Sequence, residues 1–269
     1  MALSGTFQNY PVSSFGLYCE WSGVQSVTGN YTDVTLKVYL SYYTLEVGAR
    51  SDSTISINGV SETYTAPAID DYSSGWKKKL LKTKTVRVSH NADGTKSGVV
   101  LSASWRFSGT YSGVSIGTIT ASTTVTLNSI DRSAPTVSCS VSNITANGFR
   151  ISAASSATAD QWFYSLDNGG SSTLFSSTAG TSASITLSNL SPNTTYYVRA
   201  LARKKSNQVY GESGTITVKT LGGAVLLSCG SFSADAASIS LSLRVTVYNA
   251  AYTNYITIKN GSTTYLSLA

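Results

Sequence analysis

The sequence predicts an all-β protein made of tandem β-sandwiches, and three observations carry that expectation. Apolar residues recur with period two along most of the chain, Asn-Gly and Asp-Gly pairs punctuate the alternating runs, and charge gives way to Ser, Thr and Tyr. Charged residues make up 12% of the 269, about half of the ~25% usual for soluble domains, while hydrophobic residues stand at 41%. Ser, Thr and the 17 Tyr suit pleated, half-buried surfaces. Apolar residues are too plentiful for a disordered chain.

In chain order, Val34, Leu36, Val38 and Leu40 alternate with Thr35, Lys37, Tyr39 and Ser41, so one face meets a core and the other meets water. Asn58-Gly59 follows Ile55 and Ile57 and predicts a tight hairpin, because both residues accept the positive φ that such turns impose. The segment Trp76 to Leu81 reads as the one short helical turn. Val86-Val88 and Val99-Leu101 flank Asp93-Gly94 and are expected to pair as a second hairpin. Val99, Leu101, Ala103, Trp105 and Phe107 then alternate with Val100, Ser102, Ser104 and Arg106, which places Trp105 in the core. Asn168-Gly169 and Asn260-Gly261 predict two further turns.

The polar, proline-bearing stretch Asp131-Arg132-Ser133-Ala134-Pro135 ends a first domain, and Leu221-Gly222-Gly223 ends a second. The expected organisation is a jelly-roll-like sandwich over 1–131, an immunoglobulin-like sandwich over 132–221 and a partial module of the same kind over 222–269. The last two look like repeats. Val137-Ser138-Cys139-Ser140 recurs as Leu227-Ser228-Cys229-Gly230, and Leu166-Asp167-Asn168-Gly169 recurs as Ile258-Lys259-Asn260-Gly261, at offsets of 90 and 92. About four of seven strands would leave edges unpaired and a face bare, so either the natural polypeptide is expected to continue or another chain to complete the module.

The net charge is +6, and six of the 19 basic residues fall within Lys77, Lys78, Lys79, Lys82, Lys84 and Arg87. Such a cluster meets phosphate-rich polymers or guards a sheet edge, and the edge is the preferred reading. Met1-Ala2-Leu3-Ser4-Gly5 has neither the basic start nor the apolar segment of a signal peptide, and no apolar run reaches the ~18 residues that span a bilayer. Synthesis in a cytoplasm and no membrane insertion are expected. Without secretion, the sequons at Asn30, Asn143, Asn193 and Asn260 imply no glycan. Cys19, Cys139 and Cys229 lie too far apart for a metal motif or a disulfide framework and are expected as buried hydrophobes.

Catalytic patterns are thin. His90 is the only histidine, so a Ser-His-Asp triad or a histidine zinc site would have to use it; before the Asp93-Gly94 turn, its ring is expected to bond turn backbone. Among 13 acidic residues, only Glu20 beside Trp21, and Asp70-Asp71 before Tyr72, invite attention. A glycosidase needs two carboxyls converging at ~5 to ~9.5 Å, whereas neighbours on an extended chain point to opposite faces. Asn91, Asp93 and Gly94 echo a calcium loop without its closing glutamate, which reads as a turn. No enzyme, no cofactor, no metal and no nucleic-acid partner are expected.

Aromatic residues are the best functional lead. Trp21, Trp76 and Trp105 fall in the first domain with Tyr31, Tyr39, Tyr42, Tyr43, Tyr64, Tyr72 and Tyr111. Sugar rings stack on such side chains while nearby polar groups fix their hydroxyls. The candidate ligand-binding residues are Trp21, Tyr72, Trp76, Lys77, Lys78 and Lys79, with Trp76, after Ser73-Ser74-Gly75, as the exposed platform. Core packing is the preferred reading for each tryptophan, since tryptophans usually anchor sandwich interiors.

Two resemblances add to this reading. Leu190-Ser191-Pro192-Asn193-Thr194-Thr195-Tyr196-Tyr197-Val198-Arg199-Ala200 resembles the L-x-P-x-T-x-Y-x-V-x-V run of fibronectin type III domains. It implies that Leu190 and Pro192 shape a corner, that Tyr196 returns its hydroxyl to the backbone, and that Trp162 sits on a central strand behind Pro135. Phe149-Arg150-Ile151-Ser152 lacks the tryptophan often found on the second strand. Thr85 to Ser97 is similar to a V-x-H-N-x-D-G-T-K hairpin of tail-associated minor structural proteins from long-tailed phages of Gram-positive bacteria. Ser56-Ile57-Asn58-Gly59-Val60 and Trp76-Lys77-Lys78 fit the same family. That resemblance implies a virion tail location after synthesis in the host cytoplasm, and a role at the tail tip in host attachment. It also implies other tail proteins and host cell-wall polysaccharide as partners, in a homo-oligomer with a trimer as first expectation. A purely architectural virion module and a cell-wall glycan depolymerase are the alternatives.

Overall fold

Alternating side chains become facing sheets. The protein, as a computed structural model, is described over residues 3–168 and 170–222, with the backbone of 256–260 and 263–268. It divides into two units, Met1–Ser133 and Ala134–Ala269. Described residues outside the strands lie in turns, bends and irregular segments, so the fold is all-β.

The first unit contains β1 Ser4–Val12, β2 Phe15–Ser26, β3 Tyr31–Tyr42, β4 Leu45–Val47, β5 Arg50–Ile57, β6 Val60–Ala66, β7 Ile69–Asp71, β8 Lys77–Ser89, β9 Val99–Tyr111 and β10 Val114–Val125. Two four-stranded antiparallel sheets, ordered β1-β2-β3-β8 and β10-β9-β5-β6, pack as a sandwich, and β4 pairs β7 beside them. Phe15, Leu17, Cys19 and Trp21 of β2, Val34 to Leu40 of β3, Ile55 and Ile57 of β5 and Leu101 to Phe107 of β9 share one core. Trp105 is 1% exposed, as its alternation requires. Trp21 is also a core residue at 5% exposure, which corrects its assignment as a ligand contact. It lies on the same side of β2 as Phe15, Leu17 and Cys19, and burial outweighs any use at the surface.

Two local expectations are corrected. The segment from Trp76 to Leu81 forms no helical turn; Lys77 opens a 13-residue strand that pairs β3 from Tyr42↔Lys77 to Tyr31↔Ser89. Leu81 is an extra residue between the pairs Tyr39↔Leu80 and Val38↔Lys82, and this bulge hides the strand's period. The second correction concerns Asp93-Gly94. The turn exists, but β8 and β9 belong to different sheets, so it carries the chain across the sandwich and closes no hairpin. His90 Nδ1 donates to the Gly94 carbonyl at 2.7 Å, and its Nε2 shares a hydrogen bond with the Thr32 hydroxyl at 2.8 Å. Asp93 accepts from the Thr95 amide and hydroxyl. Gly94 has φ +83°, and a Cβ there would strike the Ile130 carbonyl. His90 therefore has a structural role.

The Asn58-Gly59 hairpin forms as expected, with φ of 50° and 83° between Ile57 and Val60. Asn30, Asn143 and Asn193, each heading a sequon, all have positive φ, so their chemistry is that of turns.

The second unit is a fibronectin type III-like sandwich of seven strands: β11 Val137–Ser142, β12 Phe149–Ser165, β13 Thr173–Ser176, β14 Gly180–Leu187, β15 Thr195–Lys204, β16 Tyr210–Glu212 and β17 Ile216–Lys219. β12 serves both layers: its first half pairs β11 and β14, and after a register break its second half pairs β15 and β13. Trp162 is fully buried in this second half, against Val137, Ala153, Ala159, Ala200 and Ala202. The Ser191 amide donates to the Tyr196 hydroxyl at 3.0 Å, and the ring meets Phe149 edge-on. Leu190 packs on the same core, and the Pro192 carbonyl accepts the Thr194 hydroxyl. This is the corner that the resemblance implies. Farther on, β18 Ile256–Asn260 pairs β19 Thr263–Leu268 antiparallel. The repeat segment Leu227-Ser228-Cys229-Gly230 and the turn glycines Gly169 and Gly261 lie outside the described residues.

Candidate functional site, an aromatic groove on one sheet face

The outward residues of the β1-β2-β3-β8 sheet follow from parity and register. Gln8 faces Tyr18 across β1 and β2, Tyr18 faces Tyr39, and Tyr39 faces Leu80. One row along, Gly16 faces Ser41 and Ser41 faces Lys78. Aromatic rings thus gather on a face that the core does not claim.

Trp76, just before β8, is 54% exposed and stands at the end of this face. Tyr10 meets its indole edge-on at 5.9 Å and Tyr43 at 6.4 Å, so the ring is braced on two sides while its surface remains open. Gln8, Tyr10, Ser13, Ser41 and Trp76 line a groove of about 480 Å³. The volume lies within the ~300–1,000 Å³ range of small-ligand sites. An amide and two hydroxyls beside an aromatic wall can fix the hydroxyls of a ring stacked on that wall.

The braces are held from below. Lys77 Nζ donates to Asp71 Oδ1 at 2.8 Å and to the Ser73 carbonyl at 2.5 Å, closing the loop that presents Trp76. The Lys77 ammonium first, and then the Ser73 hydroxyl and amide, hold the Asp71 carboxyl well below the usual carboxylate range. Burial first, and then the Asp71 hydrogen bond, push the Tyr42 phenol up. Lys78 Nζ lies 3.3 Å from the centre of the Tyr18 ring and 3.6 Å from Glu20 Oε1. Burial and then Glu20 raise the Tyr39 phenol.

Of the six sequence candidates, only Trp76 lines the groove. Trp21 is in the core, and Tyr72, 67% exposed, stands outside the groove with its hydroxyl on Glu46. Lys77 is turned to Asp71, Lys78 is laid on Tyr18, and Lys79 faces away from Lys78 by strand parity. Sequence reasoning missed Gln8, Tyr10, Ser13 and Ser41. Gln8, Tyr10 and Ser41 have only alternation within β1 and β3 as a sequence signal, and Ser13 lies in the turn between β1 and β2.

The remaining run is an edge device. β8 borders one sheet and β6 the other, and Glu62 of β6 takes Lys82 at 2.5 Å and Lys84 at 3.1 Å, while Arg87 pairs Asp33 at 3.0 Å. Among the described residues, every carboxylate with a resolved pKa shift moves downward: Glu62, Asp71, Asp93, Asp160 and Asp167. No group of three His, Cys, Asp or Glu able to hold a metal ion occurs among them.

At the level of sequence, no protein-family model and no curated protein matches the chain. Among solved structures, the chain is similar to the chicken CNTN1 FN1-FN3 domains, at 11% identity and a TM-score of 0.26, over 81% of this chain and 98% of that one. It is also similar to a beta-1,2-glucanase from Parabacteroides distasonis, at 9% identity and a TM-score of 0.21, over 82% of this chain and 37% of that one.

Proposed function

We propose that this chain is a structural protein of a bacterial virus tail whose first unit grips host cell-surface carbohydrate through the groove beside Trp76, making and breaking no bond. The observation that carries the binding reading is the open indole of Trp76, braced by Tyr10 and Tyr43 above an amide and two hydroxyls. Large apolar rings are normally buried, so one held rigid at the surface suits stacking on a partner. The tail assignment rests on the similarity of Thr85 to Ser97 and its neighbours to tail-associated proteins. Homo-oligomerisation, as a trimer, would multiply weak single-site contacts into firm adhesion.

The non-enzymatic reading is supported by the carboxylates. A glycosidase acid needs a raised pKa beside a second carboxyl. Glu20 and Asp71 instead hold Lys78 and Lys77.

An architectural role, with neighbouring tail proteins as partners, is favoured by a different face. The outward side of β10-β9-β5-β6 presents Thr54, Ser56, Ser61, Ser102, Ser104 and Ser122, a hydroxyl-rich surface that also carries Arg106, paired with Asp52. One experiment separates these readings. The purified chain should bind host cells or isolated wall polysaccharide, and Trp76→Ala should abolish binding while leaving the fold intact. Equal binding by both proteins, or none by either, would refute the attachment role. Release of sugar by the chain would refute the non-enzymatic one.

A further inference from the structure

We infer that the groove beside Trp76 takes a neutral oligosaccharide, and that polyanions such as teichoic acid or nucleic acid are not its ligands. This rests on the carbohydrate-binding reading and specifies the chemistry of that site.

The argument is a charge account of the lysine run. Five of its six cations are held by carboxylates: Lys77 by Asp71, Lys78 by Glu20, Lys82 and Lys84 by Glu62, and Arg87 by Asp33. Lys82 and Lys84 share Glu62, so four carboxylates offset four of the six charges, and the run offers a phosphate polymer a net +2 where its sequence shows +6. Lys79, the member without an ion pair among the described residues, points to the other side of β8 from Lys78 and Ser41. Lys37 and Arg87 are the other cations on the outer face, Arg87 being held by Asp33. Lys37 lies opposite Glu20, two rows along β3 from Ser41.

The groove lining itself carries no charge: Gln8, Tyr10, Ser13, Ser41 and Trp76 offer rings, one amide and hydroxyls. Lys78, the cation nearest that lining by register, lies against the Tyr18 ring with Glu20 behind it. A charged sugar in the groove would lose water without gaining an opposite charge. A neutral pyranose gains stacking on Trp76 and hydrogen bonds from Gln8, Ser13 and Ser41. A run that looks polyanion-binding in the sequence is, in the fold, a strand edge where four carboxylates offset four of six positive charges.

The test is calorimetric titration of the full chain at several salt concentrations. The neutral probes are gluco-, galacto-, manno- and N-acetylglucosamine oligosaccharides; the anionic probes are poly(glycerol phosphate) and single-stranded DNA. At least one neutral probe should bind, with affinity changing less than about twofold between about 50 and about 500 mM NaCl. Trp76→Ala should weaken it by about tenfold or more, and Lys79→Ala and Lys37→Ala by less than about twofold. Tighter binding of an anionic probe, falling about tenfold or more over the same salt range and sensitive to Lys79→Ala, would overturn this inference and leave carbohydrate attachment standing. Binding of no probe would overturn both, as would self-association abolished by Trp76→Ala, which would make a second copy the occupant.

Discussion

Truncating two tryptophans of the same unit should have sharply different consequences. Trp105 is 1% exposed and Trp76 is 54% exposed. A tryptophan offers up to ~250 Å² for burial, so Trp105 hides nearly all of it and Trp76 less than half, ~115 Å². At ~25 cal/mol per Å² the upper bounds are ~6 and ~3 kcal/mol. A denatured chain already hides part of that area, which lowers both figures by roughly 10–40%. Trp105→Ala would leave a closed void among Phe15, Phe107 and their neighbours, and such core truncations cost about 3–5 kcal/mol. Trp76→Ala leaves no void, because the groove is already open to water, so about 1–2 kcal/mol is expected. The assay is native-state hydrogen exchange read by peptide over β2, β3 and β9, which reports this unit's stability separately from the second. Equal losses for the two variants would refute the account of Trp76 as a surface platform.

Three further outcomes follow from the same geometry. Gly94→Ala forces a left-handed residue and a clash with Ile130; it should cost at least about 2 kcal/mol in the same exchange measurement, and a neutral effect would contradict the docked crossover. Tyr196→Phe removes the acceptor of the exposed Ser191 amide; urea unfolding of the second unit should show a loss of about 0.5–1.5 kcal/mol, since water can replace the bond. Asp71 has a folded pKa below its unfolded value, so its contribution is complete above about pH 4 to 5 and is lost as pH falls below that. The Trp76 indole N–H signal in NMR should therefore hold steady from about pH 8 to about pH 5 and move only below about pH 4. A midpoint near neutrality would contradict the Lys77-Asp71 clamp.

Much of the fold was legible because alternation and turn chemistry are local. Val34 to Leu40 and Val99 to Phe107 occupy the faces their parity dictates, and Asn58-Gly59 turns where two positive φ values are needed. The errors lie where local signals end. Leu81 inserts a bulge residue that breaks period two, so the start of β8, up to Leu81, reads as a helical turn in the sequence. Asp93-Gly94 makes a real turn, but only the sheet order reveals that its flanking strands part company. Trp21 was misassigned although Phe15, Leu17 and Cys19 already fixed its side of β2.

The site was half legible. Ser73-Ser74-Gly75 marked Trp76 as exposed, because a small, polar approach does not bury an indole. Gln8 and Ser41 reach it through strand register, and Tyr10 and Ser13 through the irregular end of β1 and the turn after it, information that no window of neighbouring residues holds. The lysines were the reverse case. Their clustering is conspicuous in the sequence, yet Glu20, Asp33 and Glu62, which offset part of that charge, come from other strands.

The most direct test is a crystal structure of the chain soaked with a neutral oligosaccharide that binds in solution. The account predicts a sugar ring lying flat on Trp76, with its hydroxyls within hydrogen-bonding distance of Gln8, Ser13 or Ser41 and Lys77 still on Asp71. A sugar seated elsewhere with the Trp76 face bare, or held between two converging carboxylates, would contradict it.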